Sequence, residues 1–138
     1  MMAGHPGDAR PESLRNLPFA IYMGGQDAAY DRNSLARQYS TTLDRLAIAE
    51  GEGTYIHDTH IYEDCDHWML RRDTIAIPWM AQFTRNVYPK RVIWVQDDVL
   101  RDNFYWLGVP EIHRRAGARI VAEIDGQTVR IEESASPG

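Results

Sequence analysis

Several things are scarce in this sequence, and each scarcity excludes something. Cys65 is the only cysteine among 138 residues, so no internal disulfide can form and cysteine usage leaves the redox compartment open. Basic side chains are outnumbered, with 15 Lys and Arg against 20 Asp and Glu for a formal net charge of −5. That balance argues against a nucleic-acid partner, since a chain that tracks phosphates normally carries a basic patch. No apolar run approaches the roughly 20 residues of a membrane-spanning helix, so no membrane span is expected. The opening MMAGHPGDARPE contains no apolar core segment and does not read as a signal peptide. There is no repeat and no low-complexity tract.

The rest is ordinary globular material. Hydrophobic residues make up 43% and charged residues 25%, which excludes a disordered tail. The length suits one domain, or one domain with a small appendage, and is enough to bury a core.

Residues 1–16 are rich in Gly, Pro and charge and read as an irregular lead-in. Residues 17–23 (LPFAIYM) form a nearly continuous apolar run ending at Gly24-Gly25, the pattern of a parallel strand buried on both faces. Leu35, Tyr39, Leu43 and Leu46 recur at helical spacing over residues 34–49, with Asn33 or Ser34 as N-cap and Gly51-Glu52-Gly53 as the stop. Residues 54–62 (TYIHDTHIY) read as the next strand, which completes a βαβ unit. Residues 72–86 predict a helix interrupted at Pro78, with Ile75, Trp79, Met80 and Phe83 on one side. Beyond Pro89 the period becomes strand-like, over residues 91–96, 103–107 and 118–124. Asp125-Gly126 predicts a two-residue hairpin turn that pairs Ala122 with Val129 and Ile120 with Ile131. Residues 134–138 read as a frayed end.

Two side chains stand directly after predicted parallel strands: Asp27 in GGQD, and His67 in EDCDHWM. Ligands and catalytic groups gather at the C-terminal strand ends of parallel sheets. A carboxylate bonded to one imidazole nitrogen fixes the tautomer and leaves the other nitrogen free to act as a base. Taken singly, Gly-Gly-x-Asp is ordinary turn chemistry and a histidine after a strand is ordinary surface; the order acid then histidine around a βαβ unit is what raises the pair above either. A metal cluster from His57, Asp58, His60 and the residues near His67 is disfavoured, because an odd separation along a strand places His57 and His60 on opposite faces. Cys65 lies between Asp64 and Asp66, which discourage its thiolate. Trp94, Phe104, Tyr105 and Trp106 read as core aromatics rather than a ligand grip. No cofactor and no metal is expected.

The strings GGQDAAYDRN, EDCDHWMLRRDTIAIPWMAQFTRNVYPKRVIWVQDD and NFYWL carry a resemblance. They are similar to the C-terminal part of esterase-like α/β-hydrolase-fold enzymes of the dienelactone hydrolase and polyhydroxybutyrate depolymerase type. The resemblance implies an α/β fold: the C-terminal βαβα part of a hydrolase sheet over residues 17–88, then a β-rich extension with a terminal hairpin over residues 89–138. It also implies catalytic roles, Asp27 as the acid and His67 as the histidine of a Ser-Asp-His triad, acting on a small-molecule ester or acyl substrate. That fold places the nucleophile on a G-x-S-x-G turn upstream of the acid. Only Ser13 precedes Asp27, without flanking glycines, and Ser34 and Ser40 follow it on the predicted helix. The expected reading is therefore the acid-and-histidine end of a longer hydrolase, truncated and inactive alone. The alternative is a non-catalytic binding or self-association module. A hydrolase sheet cut here would leave the first strand with a bare apolar edge, which predicts a homo-oligomer or poor solubility.

Overall fold

The computed structural model describes residues 10–135, which form a mixed α/β protein with two α-helices and three small sheets. The first sheet is parallel. β1 (Phe19–Gly24) pairs with β2 (His57–Tyr62) in a register running from Phe19 opposite His57 to Gly24 opposite Tyr62. β1 starts two residues later than its apolar run, because Pro18 has no N–H to give a ladder; the first bond is from Phe19 N–H to the Ile56 carbonyl, 3.0 Å. β2 is also shorter than expected, since Tyr55 turns the chain at φ 48° and buries its ring beneath α1.

α1 (Arg32–Glu50) crosses one face of this sheet. Ala36, Tyr39, Leu43, Leu46 and Ala47 pack onto Phe19, Ile21, Met23, Tyr55 and Ile61. Leu43 is wholly buried, a burial that stabilises the fold by roughly 2 kcal/mol. Gly51, at φ 96°, ends the helix where expected and donates its N–H to the Ala47 carbonyl at 2.9 Å. The start is a correction. Neither Asn33 nor Ser34 is the N-cap; the helix opens at Arg32 behind Asp31, and Asn33 spends its side chain on the loop after β1. The expectation of a strand buried on both faces also fails. α1 covers one side of β1, while the other carries half-exposed Tyr22 beside Asp58, His60 and Tyr62.

The second sheet is antiparallel, in the order β3 (Arg91–Val95), β6 (Arg119–Asp125), β7 (Thr128–Ala135). The outer edge of β3 is closed by side chains of the first described turn, Pro11–Leu14, and the residues after it. Ser13 Oγ accepts the Val95 N–H at 3.0 Å and donates back to the Val95 carbonyl at 3.3 Å, while Asn16 Nδ2 donates to the Arg91 carbonyl at 2.8 Å. Glu50 at the end of α1 ties the two sheets together by accepting from Arg15 at 2.9 Å and Arg91 at 3.0 Å. Burial opposes its charge, but the two guanidinium groups hold its carboxyl below the usual value.

The elements after His67 depart furthest from expectation. Residues 72–86 are not one helix but a 3-10 turn, Arg72–Ile75, and a short α2 (Ala76–Met80). Pro78 sits third in α2, where its missing N–H is tolerated, but no core receives the apolar side. Ile75, Ile77 and Met80 are exposed, and only Trp79 and Phe83 find each other, at 4.7 Å between ring centres. Residues 103–107 are not a strand. β4 (Asn103–Phe104) turns back at once into β5 (Leu107–Gly108) through Tyr105 at φ 55°. A Tyr-Trp turn has no Gly or Asn signature; tertiary contacts hold it, with Trp106 Nε1 donating to the Pro89 carbonyl at 2.7 Å and Trp94 stacked on Phe104 at 5.7 Å. The aromatic group is core, as expected. The terminal hairpin turns at Gly126-Gln127, one residue later than predicted, with Asp125 opposite Thr128 and Ala122 opposite Ile131. Gly126 takes φ 60° at the first central position, the place a type II′ turn requires glycine. β7 continues through residues 134 and 135, so the frayed-end expectation holds no place there; residues 136–138 and the lead-in before residue 10 lie outside the described residues.

Candidate functional site

The parallel register ends β1 and β2 side by side, so the loops after Gly24 and Tyr62 leave from the same edge. They then press together. A Cβ on Gly24 would fall 1.8 Å from the Asp66 carbonyl oxygen, and one on Gly25 would fall 2.7 Å from Glu63 Cα. Glycine is the only residue that permits this approach. Backbone bonds fasten it, from Gly25 N–H to the Tyr62 carbonyl at 2.7 Å and from Gln26 N–H to the Cys65 carbonyl at 2.9 Å. From the other side Asn33 binds the same loop, its N–H donating to the Asp27 carbonyl at 3.1 Å and its Nδ2 to the Gly25 carbonyl at 2.7 Å.

These constraints bring Asp27 and His67 together. His67 Nδ1 lies 2.8 Å from Asp27 Oδ2. The carboxylate is buried, with 4% of its side chain exposed, whereas the imidazole is 39% exposed, and its Nε2 has no hydrogen-bond partner among the described residues. Trp68 meets the imidazole edge-on at 5.7 Å between ring centres. The hydrogen bond from His67 holds the Asp27 carboxyl below its usual value; burial opposes this, and Arg32 adds to it. An ionised Asp27 accepts a proton bond at Nδ1, which leaves the Nε2 lone pair facing outward. This arrangement can take a proton from a donor presented at Nε2 and return it.

The sequence did not single out Arg32. Its NH1 nitrogen stands 3.3 Å from Asp27 Oδ2, 3.4 Å from Oδ1 and 3.2 Å from His67 Nδ1. Tyr30 lies beneath the guanidinium at 5.2 Å, and both Tyr30 and Asp31 are in the left-handed region, at φ 55° and 56°. One signal was available. A basic residue in the first turn of a helix sits at the positive end of the helix dipole, where cations are disfavoured, and so needs a local reason.

The other candidates stand elsewhere. Ser13 is bound to Val95, Ser34 accepts from Gln38 at 3.0 Å, and Ser40 pairs with Thr59 at 2.9 Å. None of the three hydrogen-bonds to His67. His57 reaches Asp44 on α1 at 3.3 Å, while His60 pairs with Asp58 at 3.1 Å and stacks on Tyr22. The two histidines thus face opposite ways, and among the described residues no three His, Cys, Asp or Glu side chains converge on a metal position. Cys65 is buried, and burial more than its acidic neighbours pushes its thiol up, against an opposing pull from Arg72. No described helix is long and apolar enough to cross a membrane. Comparison with protein-family models, with curated proteins and with solved structures finds no match for the chain.

Proposed function

We propose that this chain supplies the acid and the histidine of a serine acyl hydrolase acting on carboxylic esters or related acyl bonds. The observation that carries the reading is the 2.8 Å bond between a buried carboxylate and a half-exposed imidazole, each directly after one of two paired parallel strands. In this role His67 Nε2 takes the hydroxyl proton of a serine as it attacks the acyl carbon, and then gives it to the departing alkoxide. Water repeats the cycle on the acyl-enzyme. Asp27 holds the Nδ1–H tautomer and stabilises the imidazolium formed in between. The serine and the oxyanion donors come from polypeptide beyond these 138 residues, in the manner of the α/β-hydrolase enzymes whose C-terminal strings this sequence resembles.

The test has two arms. The purified chain should not turn over p-nitrophenyl acetate; turnover abolished by His67→Ala would refute the inactive reading. The reading frame upstream of the Met1 codon should encode G-x-S-x-G, and the extended protein should react with a fluorophosphonate in a His67-dependent way. An upstream frame without that motif, or labelling that His67→Ala leaves intact, would overturn the hydrolase reading.

A second reading, a self-association module, draws on a different observation. Among the described residues no strand pairs with the outer edge of β1 or β2, and Trp68, Leu70, Ile77 and Tyr88 are each more than two-thirds exposed. Unpaired edges are templates for another chain.

A further inference from the structure

The geometry points to Arg32 as a positioning residue that offsets the Asp27 charge facing the His67 imidazole and so weighs against the imidazolium. This inference rests on the acid–imidazole reading of Asp27 and His67. NH1 of Arg32, Nδ1 of His67 and Oδ2 of Asp27 form a nearly equilateral triangle with sides of 2.8, 3.2 and 3.3 Å. The three corners cannot all bond at once. Nδ1 either donates to Asp27 or accepts from Arg32, and an ionised carboxylate at 2.8 Å favours donation. Arg32 then bonds only to Asp27 and stands 3.2 Å from Nδ1 as a positive charge. Once His67 takes a second proton, its imidazolium faces one negative and one positive neighbour at similar range. Asp27 favours that state and Arg32 opposes it.

The placement of Arg32 is constrained from several directions. It opens α1 at the end of the helix that disfavours a cation. Two successive non-glycine residues before it take left-handed backbone, and the Tyr30 ring supports the guanidinium from below. Backbone strain of this kind persists where the surroundings enforce it. The charged groups bonded or within bonding distance at the His67 ring are Asp27 from the loop after β1 and Arg32 from α1. In the loop of His67 itself, Asp66 accepts the Trp68 N–H at 3.0 Å, while Asp64 and Glu63 are paired with Arg72 and Arg37. Of the two groups at the ring only Arg32 is positive, so removing it leaves Asp27 as the charge that faces Nδ1.

The experiment is a pH titration of the His67 imidazole by NMR, in protein labelled with 15N-histidine. The wild type is compared with Arg32→Gln, Arg32→Lys, Tyr30→Ala and Asp27→Asn, each checked for folding by circular dichroism. Arg32→Gln should raise the titration midpoint by about one pH unit, a tenfold tighter hold on the proton. Arg32→Lys should restore much of the wild-type midpoint, because it returns the charge. Tyr30→Ala, at an exposed ring, should shift it the same way as Arg32→Gln but less, and serves if Arg32→Gln does not fold. An unmoved or lowered midpoint in Arg32→Gln, or in Tyr30→Ala where that stands in for it, would overturn the role of Arg32 if Asp27→Asn still lowers the midpoint. An Asp27→Asn protein whose midpoint does not move would overturn the pair itself.

Discussion

Replacing Gly24 with alanine should break the candidate site without touching either Asp27 or His67. The added methyl would lie 1.8 Å from the Asp66 carbonyl oxygen, 2.6 Å from its carbon and 2.7 Å from the Cys65 carbonyl oxygen. All three are backbone atoms, so no side-chain rotation relieves the clash. The loop that carries His67 must retreat by about 1.5 Å to reach the roughly 3.3 Å of a close carbon–oxygen approach. Such a retreat takes the 2.8 Å bond between His67 and Asp27 beyond hydrogen-bonding range. It also strains the Gln26 N–H bond to the Cys65 carbonyl, now at 2.9 Å. Overpacking of this kind costs about 1–3 kcal/mol, and a lost hydrogen bond to a charged group adds about 1.5–3 kcal/mol.

A destabilisation of about 3 kcal/mol lowers the thermal midpoint of a domain this size by roughly 10 °C. Thermal unfolding followed by circular dichroism measures the shift, and NMR of the labelled imidazole reports whether Nδ1–H still bonds to a carboxylate. Gly51→Ala is the control: its Cβ meets nothing within 4 Å, and only its backbone, at φ 96° and ψ 178°, is strained, for a cost of about 1–3 kcal/mol that should leave the Nδ1–H signal in place. If Gly24→Ala melts within about 2 °C of wild type and keeps the Nδ1–H signal, the claim that close loop approach builds the site is wrong.

Acid stability should depend on Asp27. Its carboxyl is held below the unfolded value of about 3.9, so the unfolded chain binds the extra proton first and the stabilisation is lost as pH falls from about 4 through the folded value. Melting temperatures taken between pH 6 and pH 2 should therefore fall more steeply for wild type than for Asp27→Asn, and parallel curves would count against the shift. Leu43→Ala empties a fully buried position between α1 and the parallel sheet and should cost about 2–5 kcal/mol in urea denaturation; a loss under 1 kcal/mol would mean that α1 does not seal this core. Light scattering at rising concentration should give a mass above that of one chain, and a constant monomer would remove the support for association through bare strand edges.

What could be read in the sequence followed from local patterns that the tertiary structure did not overrule. The apolar run before Gly24-Gly25 and the β-rich run before Glu63 are long enough to be strands in most surroundings, and their order placed Asp27 and His67 on one edge. The Leu43 and Leu46 stripe is a helix face whatever covers it. The misreadings share a cause: the deciding contact lay far away in sequence. Asn33 is a good N-cap residue, but its backbone N–H and its Nδ2 both donate to the loop after β1, at Asp27 and Gly25, and hold it inside the first turn. Residues 103–107 have strong strand propensity, but Pro89 and Asn16 accept bonds from Trp106 and Tyr105 and fold them into a turn. The helical stripe of residues 72–86 lacks a core to meet, so only five residues remain α-helical, as expected when packing rather than propensity stabilises a helix.

Arg32 was illegible for the same reason, yet it belongs to a pattern of local exceptions around the contact between Asp27 and His67. Four local rules of good sequence are broken within a short stretch. Gly24 ends a strand and Gly25 follows it where neither admits a side chain, Tyr30 and Asp31 take left-handed backbone without being glycine, a cation opens a helix, and a carboxylate is buried at Asp27. Each is unfavourable alone. All four surround the contact between Asp27 and His67; left-handed non-glycine backbone on its own also occurs at Tyr55 under α1 and at Leu70 and Arg71, so it is the combination that is particular to this place. Local rules tend to be broken at functional sites and offset elsewhere. Here the offset is Leu43 and its neighbours, which anchor α1 and so hold Arg32 against the pair.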